Sequence, residues 1–457
     1  VLVAGSGVTG AACVEALLSV GAVVSVLDRT SGPALERLRD AGAAVILGDE
    51  PPAPVWDDLD DLIVSPGFAP HTPVVRAAVA AGKPVYSEPE LAWRLRGRGA
   101  APWLALTGTN GKTTTVTMLA AMLSAAGLRS AALGNIGEPL VRGALSGAYD
   151  VIAVELSSFQ LHWSSTMAPQ VGAWLNLAED HLEWHLTMSH YADAKTEIWR
   201  SAGNGHGFPG AGIAIGNLDD DFVRTRLDDV PGRVIGFTLG APSRPDTFGV
   251  VDGHLVGRLD DQAPEEIIEA SQVRPAGAHN VANALAAAAM ARAYGVPTAA
   301  IRSGLQGYLP EPHRNAPVAT VAGVTYVDDS KATNPHAAHA SLTAYPRVVW
   351  VAGGQLKGVD VDALVASVAD RLVGAVLLGV DRAEIAEALR RHAPSIPVVD
   401  VARTDDGAMA EVVAAAASLG RAGDTVLLAP AAASKDMFVS YGHRGDAFAA
   451  AVNALRR

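Results

Sequence analysis

The chain has 457 residues, 49% of them hydrophobic and 18% charged, and its 35 Lys and Arg against 48 Asp and Glu leave a formal net charge of −13. At roughly 150 residues per domain this length accommodates two to four domains; the composition excludes global disorder, and the acidic balance disfavours non-specific nucleic-acid binding and anionic membranes. The single cysteine, Cys13, excludes an internal disulfide and a cysteine-built metal cluster and suggests a reducing compartment, while no apolar run reaches the ~18 residues of a spanning helix.

Val1-Leu2-Val3-Ala4 reads as a buried strand. It opens the chain without a Met, so the lack of a targeting peptide carries little weight. Gly5-Ser6-Gly7-Val8-Thr9-Gly10 follows, then a helix through Leu18 and a second strand over Gly21 to Leu27, ending at Asp28. Glycines for a tight turn, a helix N-terminus for a diphosphate and an acid at the next strand end make a dinucleotide-type fingerprint. Alone, the pattern fits NAD, FAD or any nucleotide diphosphate, with a glycine turn that binds nothing as the lesser alternative. Leu62-Ile63-Val64-Ser65-Pro66-Gly67 is a later strand with its loop, in which Ser65 is either a ligand contact or a turn former. The pattern loosens from Glu88 to Arg98, and Arg94 to Pro102 has linker composition, which places a first boundary there.

Thr107-Gly108-Thr109-Asn110-Gly111-Lys112-Thr113-Thr114 comes next. Apolar Trp103 to Leu106 predicts a buried strand before it, and apolar residues at helical spacing from Thr115 to Ala126, with Gly127 as a stop, predict a helix after it. This is a phosphate cradle: backbone N–H groups and the helix's positive end face the anion, Lys112 adds a charge, and the Thr113 hydroxyl suits Mg²⁺. The first glycine usual in such loops is replaced by Leu106, and Gly108 supplies the freedom instead. Gly134-Asn135-Ile136-Gly137 is another tight turn.

Asp150 to Glu155 predicts a strand ending in an acid, where a nucleotide's Mg²⁺ is commonly held. In Leu156-Ser157-Ser158-Phe159-Gln160-Leu161 the hydroxyls and Gln160 also suit plain helix capping. Val171 to Leu175 predicts a strand with Asn176 to His181 at its end, the position that lines the crevice of open α/β sheets. His181 and His185 are spaced for zinc, but Leu182 stands where a zinc-protease motif has glutamate, and zinc is disfavoured. On the helix predicted over Tyr191 to Trp199, Lys195 read alone is a surface lysine. Asn280 and Asn283 share a helix face, as a binding pair or a merely polar one.

Gly304 to Pro312 reads as a Gly/Pro-punctuated connection and the second boundary. Val324 to Asp329 predicts a strand ending in acids, and Ser330 to Pro335 turns into a helix. Further strands are predicted at Arg347 to Ala352, Ala375 to Gly379 and Thr425 to Ala429, which implies a third parallel sheet with its polar candidates just after the strands.

Together, Thr107–Thr114, Glu155–Leu161, Asp180-His181, His279–Leu285 and Asp329–Asn334 resemble the amide ligases of bacterial peptidoglycan assembly, the Mur ligase family, over essentially the whole chain. Glu155-Leu-Ser-Ser-Phe-Gln-Leu, Asp329-Ser-Lys-Ala-Thr-Asn, Ser434-Lys-Asp-Met-Phe and Arg444-Gly-Asp-Ala-Phe448 look like the D-glutamate-adding branch. The resemblance implies an α/β chain of three domains: a Rossmann-like UDP-sugar-binding domain over 1–90, a P-loop ATPase-like central domain with a mostly parallel sheet over 91–309, and a Rossmann-like D-glutamate-binding domain over 310–457. It implies ATP-dependent addition of D-glutamate to UDP-N-acetylmuramoyl-L-alanine through an acyl phosphate, in a cytoplasmic monomer with no nucleic-acid partner and no membrane insertion.

It also implies roles for residues. Gly7, Val8, Thr9, Asp28, Arg29, Ser65, Gly67, Asn135, Ser157 and Gln160 would contact the UDP-sugar, although Arg29 stands where some relatives carry Thr. Gly108, Thr109, Asn110, Gly111, Lys112, Thr113, Thr114, Asn135, Asn280, Asn283, Arg314, Asp329 and Lys331 would serve ATP. Thr333, Lys357, Ser434, Lys435 and Tyr441 would receive D-glutamate; Lys435 stands where some relatives have Leu, and an exposed loop lysine is the alternative. Lys112, Glu155, His181 and Lys195 would be catalytic. Thr113 and Glu155 would hold one Mg²⁺, and His181 with Lys195, as a CO₂-derived carbamate, a second. The rivals are an NAD-dependent oxidoreductase, which leaves 107–114 unexplained, a non-catalytic nucleotide-binding module, and a folate polyglutamylating ligase, which leaves the first domain unexplained.

Overall fold

The structure, a computed structural model, describes residues 1–204, 212–260, 263–405 and 407–456. The chain packs as two compact units, one of Val1–Ala270 with Ala282–Tyr308, the other of Ser271–Val281 with Leu309–Arg457. Among the described residues the principal strands form three sheets, two in the first unit and one in the second.

The first sheet has five parallel strands in the spatial order Ala44–Leu47, Ser25–Asp28, Leu2–Ala4, Leu62–Val64, Val85–Ser87. Leu2, Val3, Ala4, Leu62, Ile63 and Val64 are buried, as continuous apolar strands covered on both faces must be. The second strand starts at Ser25 and not at Gly21, because Gly21 sits at φ +80° in the turn before it and Val23 is 86% exposed. Where the pattern loosened, Glu88–Leu95 is a helix. It buries two carboxylates, Glu88 and Glu90, which disguise its inward face in an apolar-periodicity reading.

The second sheet centres on Trp103–Thr107, flanked by Val151–Glu155 and Val171–Trp174, all parallel and fully buried. Ser130–Gly134 lies outside Val151–Glu155. On the other side Ile213–Asn217, Arg233–Phe237 and Thr247–Val251 continue in parallel, and His254–Arg258 and Glu265–Glu269 close the edge antiparallel. Four neighbouring strands therefore release their chains at one crest: Thr107 into the phosphate loop, Gly134 into Asn135, Glu155 into Leu156, and Trp174 into Asn176.

The helix after the phosphate loop begins at Lys112, three residues earlier than apolar spacing suggested, because Thr113, Thr114 and Thr115 sit in its polar first turn. Gly304 is not in a connection. It lies inside the helix Thr298–Gln306, where a Cβ would meet the Cα of Met122 at 2.5 Å, so the glycine permits close helix packing. In the second unit the sheet order is Ala316–Val321, Val324–Asp328, Thr425–Leu428, Val348–Gly353, Leu372–Leu378, Val398–Asp400, parallel apart from the first strand. No helix among the described residues is long and apolar enough to cross a membrane.

Candidate active site

The phosphate loop turns on Gly111, at φ +82° as the N-cap of Lys112–Ala125. A side chain there is doubly excluded, since a Cβ would lie 2.3 Å from Asn283 Oδ1. That brings Asn283 of the helix Ala278–Ala293 against the loop. Thr109 and Asn110 are tied to the next strand end: Thr109 N–H donates to Asn176 O at 3.1 Å, and Asn110 N–H to Asn176 Oδ1 at 2.9 Å. Lys112 Nζ folds back onto the carbonyls of Gly108 and Thr109 at 2.8 and 2.9 Å.

Glu155 is 1% exposed. Its Oε2 accepts the Thr113 hydroxyl at 2.8 Å and its Oε1 the Asn135 amide at 2.9 Å. A carboxylate and a hydroxyl side by side under a phosphate loop are hard oxygen donors of the kind Mg²⁺ prefers, so these residues fit that ion. Among the described residues no three His, Cys, Asp or Glu side chains converge as a ready-made metal cage.

Lys195 corrects the surface reading made from its helix alone. It is 1% exposed, and its Nζ donates to Gly108 O at 2.9 Å and lies 4.5 Å from the centre of the Tyr191 ring. Burial first, and the charge of Lys112 second, push its amine well below the ordinary lysine range. A neutral buried amine is a nucleophile for CO₂, so the residue fits a carbamate. His181 takes a left-handed backbone, φ +56°, with its ring edge-on to Phe159 at 4.7 Å and Nδ1 3.6 Å from Asp180. Burial lowers its pKa, against the opposing pull of Asp180 and Glu183. His185 points elsewhere, its Nε2 2.9 Å from Ser158 Oγ, and burial holds it neutral with a pKa of about 3.

Ser157 and Gln160 form a capping box on Ser158–His162, Ser157 Oγ accepting the Gln160 N–H at 3.2 Å and Gln160 Oε1 the Ser157 N–H at 2.9 Å. The capping alternative is thus realised, and it fixes both residues beside Glu155. In the first sheet Gly10 allows the tight turn, since its Cβ would meet Gly5 O at 1.9 Å. Asp28 accepts both the N–H and the hydroxyl of Ser6, at 2.9 and 2.5 Å. Burial works against its ionisation, but these bonds outweigh it and hold the carboxyl below its usual value. Val8 is exposed at the start of the helix Val8–Ser19 and Thr9 half-buried, Arg29 pairs with Asp49 at the surface, and Ser65 Oγ donates to Ala4 O at 3.1 Å beside exposed Gly67.

In the second unit the polar candidates crowd the ends of three adjacent strands. Asp329 is half-buried, accepts Asn315 N–H at 3.1 Å, and is pushed up to about 6 by desolvation, with Arg314 pulling the other way. Lys331 Nζ lies 4.0 Å from the centre of the Tyr441 ring, and Thr333 follows in the same turn, its N–H on Lys331 O at 2.8 Å. Lys357 is exposed in a left-handed turn beside the paired backbones of Gln355 and Ala433, next to buried Ser434 and exposed Lys435. Asn280 is buried and donates to Ala276 O at 3.1 Å.

The roles of three structural supports were not legible in the sequence. Tyr191 bonds Thr109 Oγ1 through its hydroxyl at 3.1 Å. Asp328 accepts His313 Nδ1 at 2.6 Å. Arg444, buried, ties Ser330, Gly353 and Ala432 together. Only Arg444 left a sign, as the first residue of the stretch Arg444-Gly-Asp-Ala-Phe448 that carries the resemblance.

Comparison with known proteins agrees with this layout. Residues 1–87 match the Mur ligase MurD-like N-terminal domain, 106–291 the Mur ligase middle domain, and 313–432 the Mur ligase glutamate ligase domain. A UDP-N-acetylmuramoylalanine--D-glutamate ligase of Thermobifida fusca (strain YX) is 52% identical over 100% of this chain and 98% of its own length. Its namesake from Streptomyces avermitilis is 51% identical over the same shares. Among solved structures, MurF from Acinetobacter baumannii is similar at a TM-score of 0.63 and 19% identity over 95% of this chain and 91% of that one. A pseudomurein peptide ligase type C from Methanothermus fervidus is similar at 0.59 and 18% over 99% of each. With three successive domain matches and half of all positions shared along the full length of such relatives, the chain belongs to the Mur ligase family.

Proposed function

We propose that this chain is the ATP-dependent ligase that joins D-glutamate to UDP-N-acetylmuramoyl-L-alanine, acting as a cytoplasmic monomer in peptidoglycan precursor synthesis. The observation that carries the reading is the full-length similarity to relatives bearing that name. The convergence of Lys112, Thr113, Glu155 and Lys195 at the phosphate loop supports it. Domains are drawn at 1–90, 91–309 and 310–457, the second boundary supported by the change of unit at Leu309.

A carboxylate does not acylate an amine in water, because its leaving group is too poor. An oxygen of the substrate's alanyl carboxylate attacks the γ-phosphorus of ATP, and ADP leaves. The D-glutamate nitrogen then attacks the acyl carbon, loses a proton, and phosphate departs with one former carboxylate oxygen. Both steps gather negative charge, which Lys112 and the positive end of Lys112–Ala125 offset from fixed positions. Thr113 and Glu155 would hold one Mg²⁺, and His181 with the Lys195 carbamate a second, supplying charge neutralisation between phosphate and carboxylate. Gly108, Thr109, Asn110, Gly111, Thr114, Asn135, Asn280, Asn283, Arg314, Asp329 and Lys331 seat ATP. Gly7, Val8, Thr9, Asp28, Arg29, Ser65, Gly67, Ser157 and Gln160 seat the UDP-sugar, and Thr333, Lys357, Ser434, Lys435 and Tyr441 the D-glutamate.

Omitting each substrate in turn from an ADP-release assay tests the reaction. ADP must require both UDP-N-acetylmuramoyl-L-alanine and D-glutamate. Oxygen-18 placed in the alanyl carboxylate must appear in the liberated phosphate; its absence there would rule out the acyl phosphate.

A further inference from the structure

The short helix Ser158–His162 opens at the cap formed by Ser157 and Gln160 and closes on Trp163. Trp163 makes two bonds outside the central sheet. Its indole N–H donates to Phe68 O at 3.1 Å, and its own carbonyl accepts the N–H of Ser87 at 2.8 Å. Phe68 closes the turn after Leu62–Val64, its N–H donating to Ser65 O at 3.0 Å, and Ser87 ends the neighbouring strand Val85–Ser87. The indole also packs on the apolar cluster beneath those strands, which includes Leu62 and Val64.

The same turn abuts the glycine loop. A Cβ on Gly5 would lie 2.9 Å from Ser65 Oγ and 3.7 Å from the Phe68 ring. Glu90 reinforces the arrangement from Glu88–Leu95, its buried carboxylate accepting the backbone N–H groups of Ser165, Thr166 and Met167 at 3.0 to 3.1 Å, just after Trp163. Three loops carrying nucleotide-sugar candidates thus adjoin one another, and the Trp163 side chain bonds the second to the third.

We infer that Trp163 is a positioning residue for the nucleotide-sugar, holding the turn Ser65–Phe68 in register with Ser157 and Gln160. The inference rests on the reading of those residues as the UDP-sugar site. A ligand that must touch both loops at once gains affinity when their spacing is set before it arrives. A ligand reaching only one of them gains little.

Trp163→Phe tests this, since it keeps an apolar ring, removes the indole donor and leaves the backbone bond to Ser87 in place. KM for UDP-N-acetylmuramoyl-L-alanine is expected to rise about two- to tenfold, the weight of one neutral hydrogen bond. KM for ATP, KM for D-glutamate and saturated kcat are expected to stay within about twofold. In calorimetry UDP alone, which lacks the muramoyl half, should lose less affinity than the full substrate. Trp163→Ala, with its melting temperature checked, should widen the same selective gap. An unchanged KM for the UDP-sugar overturns the inference, as does a fall in kcat with all three KM values moving together, the mark of a generally loosened fold. Failure of the wild-type protein to bind UDP-N-acetylmuramoyl-L-alanine would instead overturn the reading beneath it.

Discussion

Lys112 and Lys195 donate to the same acceptor, the carbonyl oxygen of Gly108, at 2.8 and 2.9 Å. Two ammonium groups at one neutral oxygen repel each other, and the fully buried one yields. Burial and the Lys112 charge both favour the neutral amine of Lys195. Its lone pair is then available to CO₂, and the carbamate so formed would sit as an anion beside Lys112, turning a repulsion into an attraction.

Wild-type protein equilibrated with ¹³C-bicarbonate should therefore show a protein-bound carbamate carbon in its NMR spectrum, absent from Lys195→Arg. Turnover of Lys195→Arg should fall by about a hundredfold or more, the scale of losing one electrostatic group at a reacting centre. A label that survives the substitution, or an arginine variant near wild-type rate, would remove Lys195 from this role.

Glu88 makes stability depend on pH. Burial pushes its carboxyl up to about 7 from an ordinary 4.5, although Val141 and Leu140 donate backbone N–H groups to it. The folded state thus keeps a proton that the unfolded chain releases. The stability this contributes is complete below about pH 4.5, declines as pH rises, and is gone above about 7, for a total on the order of 3 kcal/mol. Urea midpoints at about pH 5.5 and 8 should separate in the wild type and converge in Glu88→Gln, which cannot ionise. Equal separation in both proteins would clear Glu88 of responsibility.

The phosphate loop, the acid at the end of Val151–Glu155 and the glycine turn at Gly5–Gly10 were all legible as local patterns, because each needs residues of fixed type at fixed spacing. Lys195 was not. Helical spacing says nothing about whether a lysine faces water or the carbonyl of Gly108, 87 positions earlier. Glu88–Leu95 escaped for the converse reason: it buries carboxylates, and the partners that make this tolerable lie at Val141 and at Ser165 to Met167. Gly304 misled because a glycine inside a tightly packed helix looks the same in sequence as one in a turn.

Gly304→Ala should accordingly destabilise the protein even though alanine is the better helix former. The helix gains about 1 kcal/mol in propensity. The new Cβ, however, would lie 2.5 Å from Met122 Cα and 2.7 Å from Met122 N, and backbone cannot step aside as a side chain can. Overpacking of this kind costs about 1–3 kcal/mol. A lower urea midpoint is expected, and a variant as stable as the wild type would show that the two helices have slack.

Lys357 offers the sharpest test of the D-glutamate assignment. It sits at φ +57°, which is unfavourable for a lysine, in a turn over-determined by its neighbours: Gln355 and Ala433 exchange backbone bonds, and Leu356 N–H donates to Asp381 at 2.7 Å. The exposed ammonium is therefore presented from a rigid base and not from a mobile loop. A hydrogen bond to a charged group contributes about 1.5–3 kcal/mol, so Lys357→Ala should raise KM for D-glutamate by about ten- to a hundredfold and leave KM for ATP within about twofold. Lys357→Gly separates charge from backbone, because glycine relaxes the left-handed turn yet supplies no cation. If KM follows the charge, both variants lose D-glutamate alike; if glycine restores it, the residue serves the turn and not the substrate.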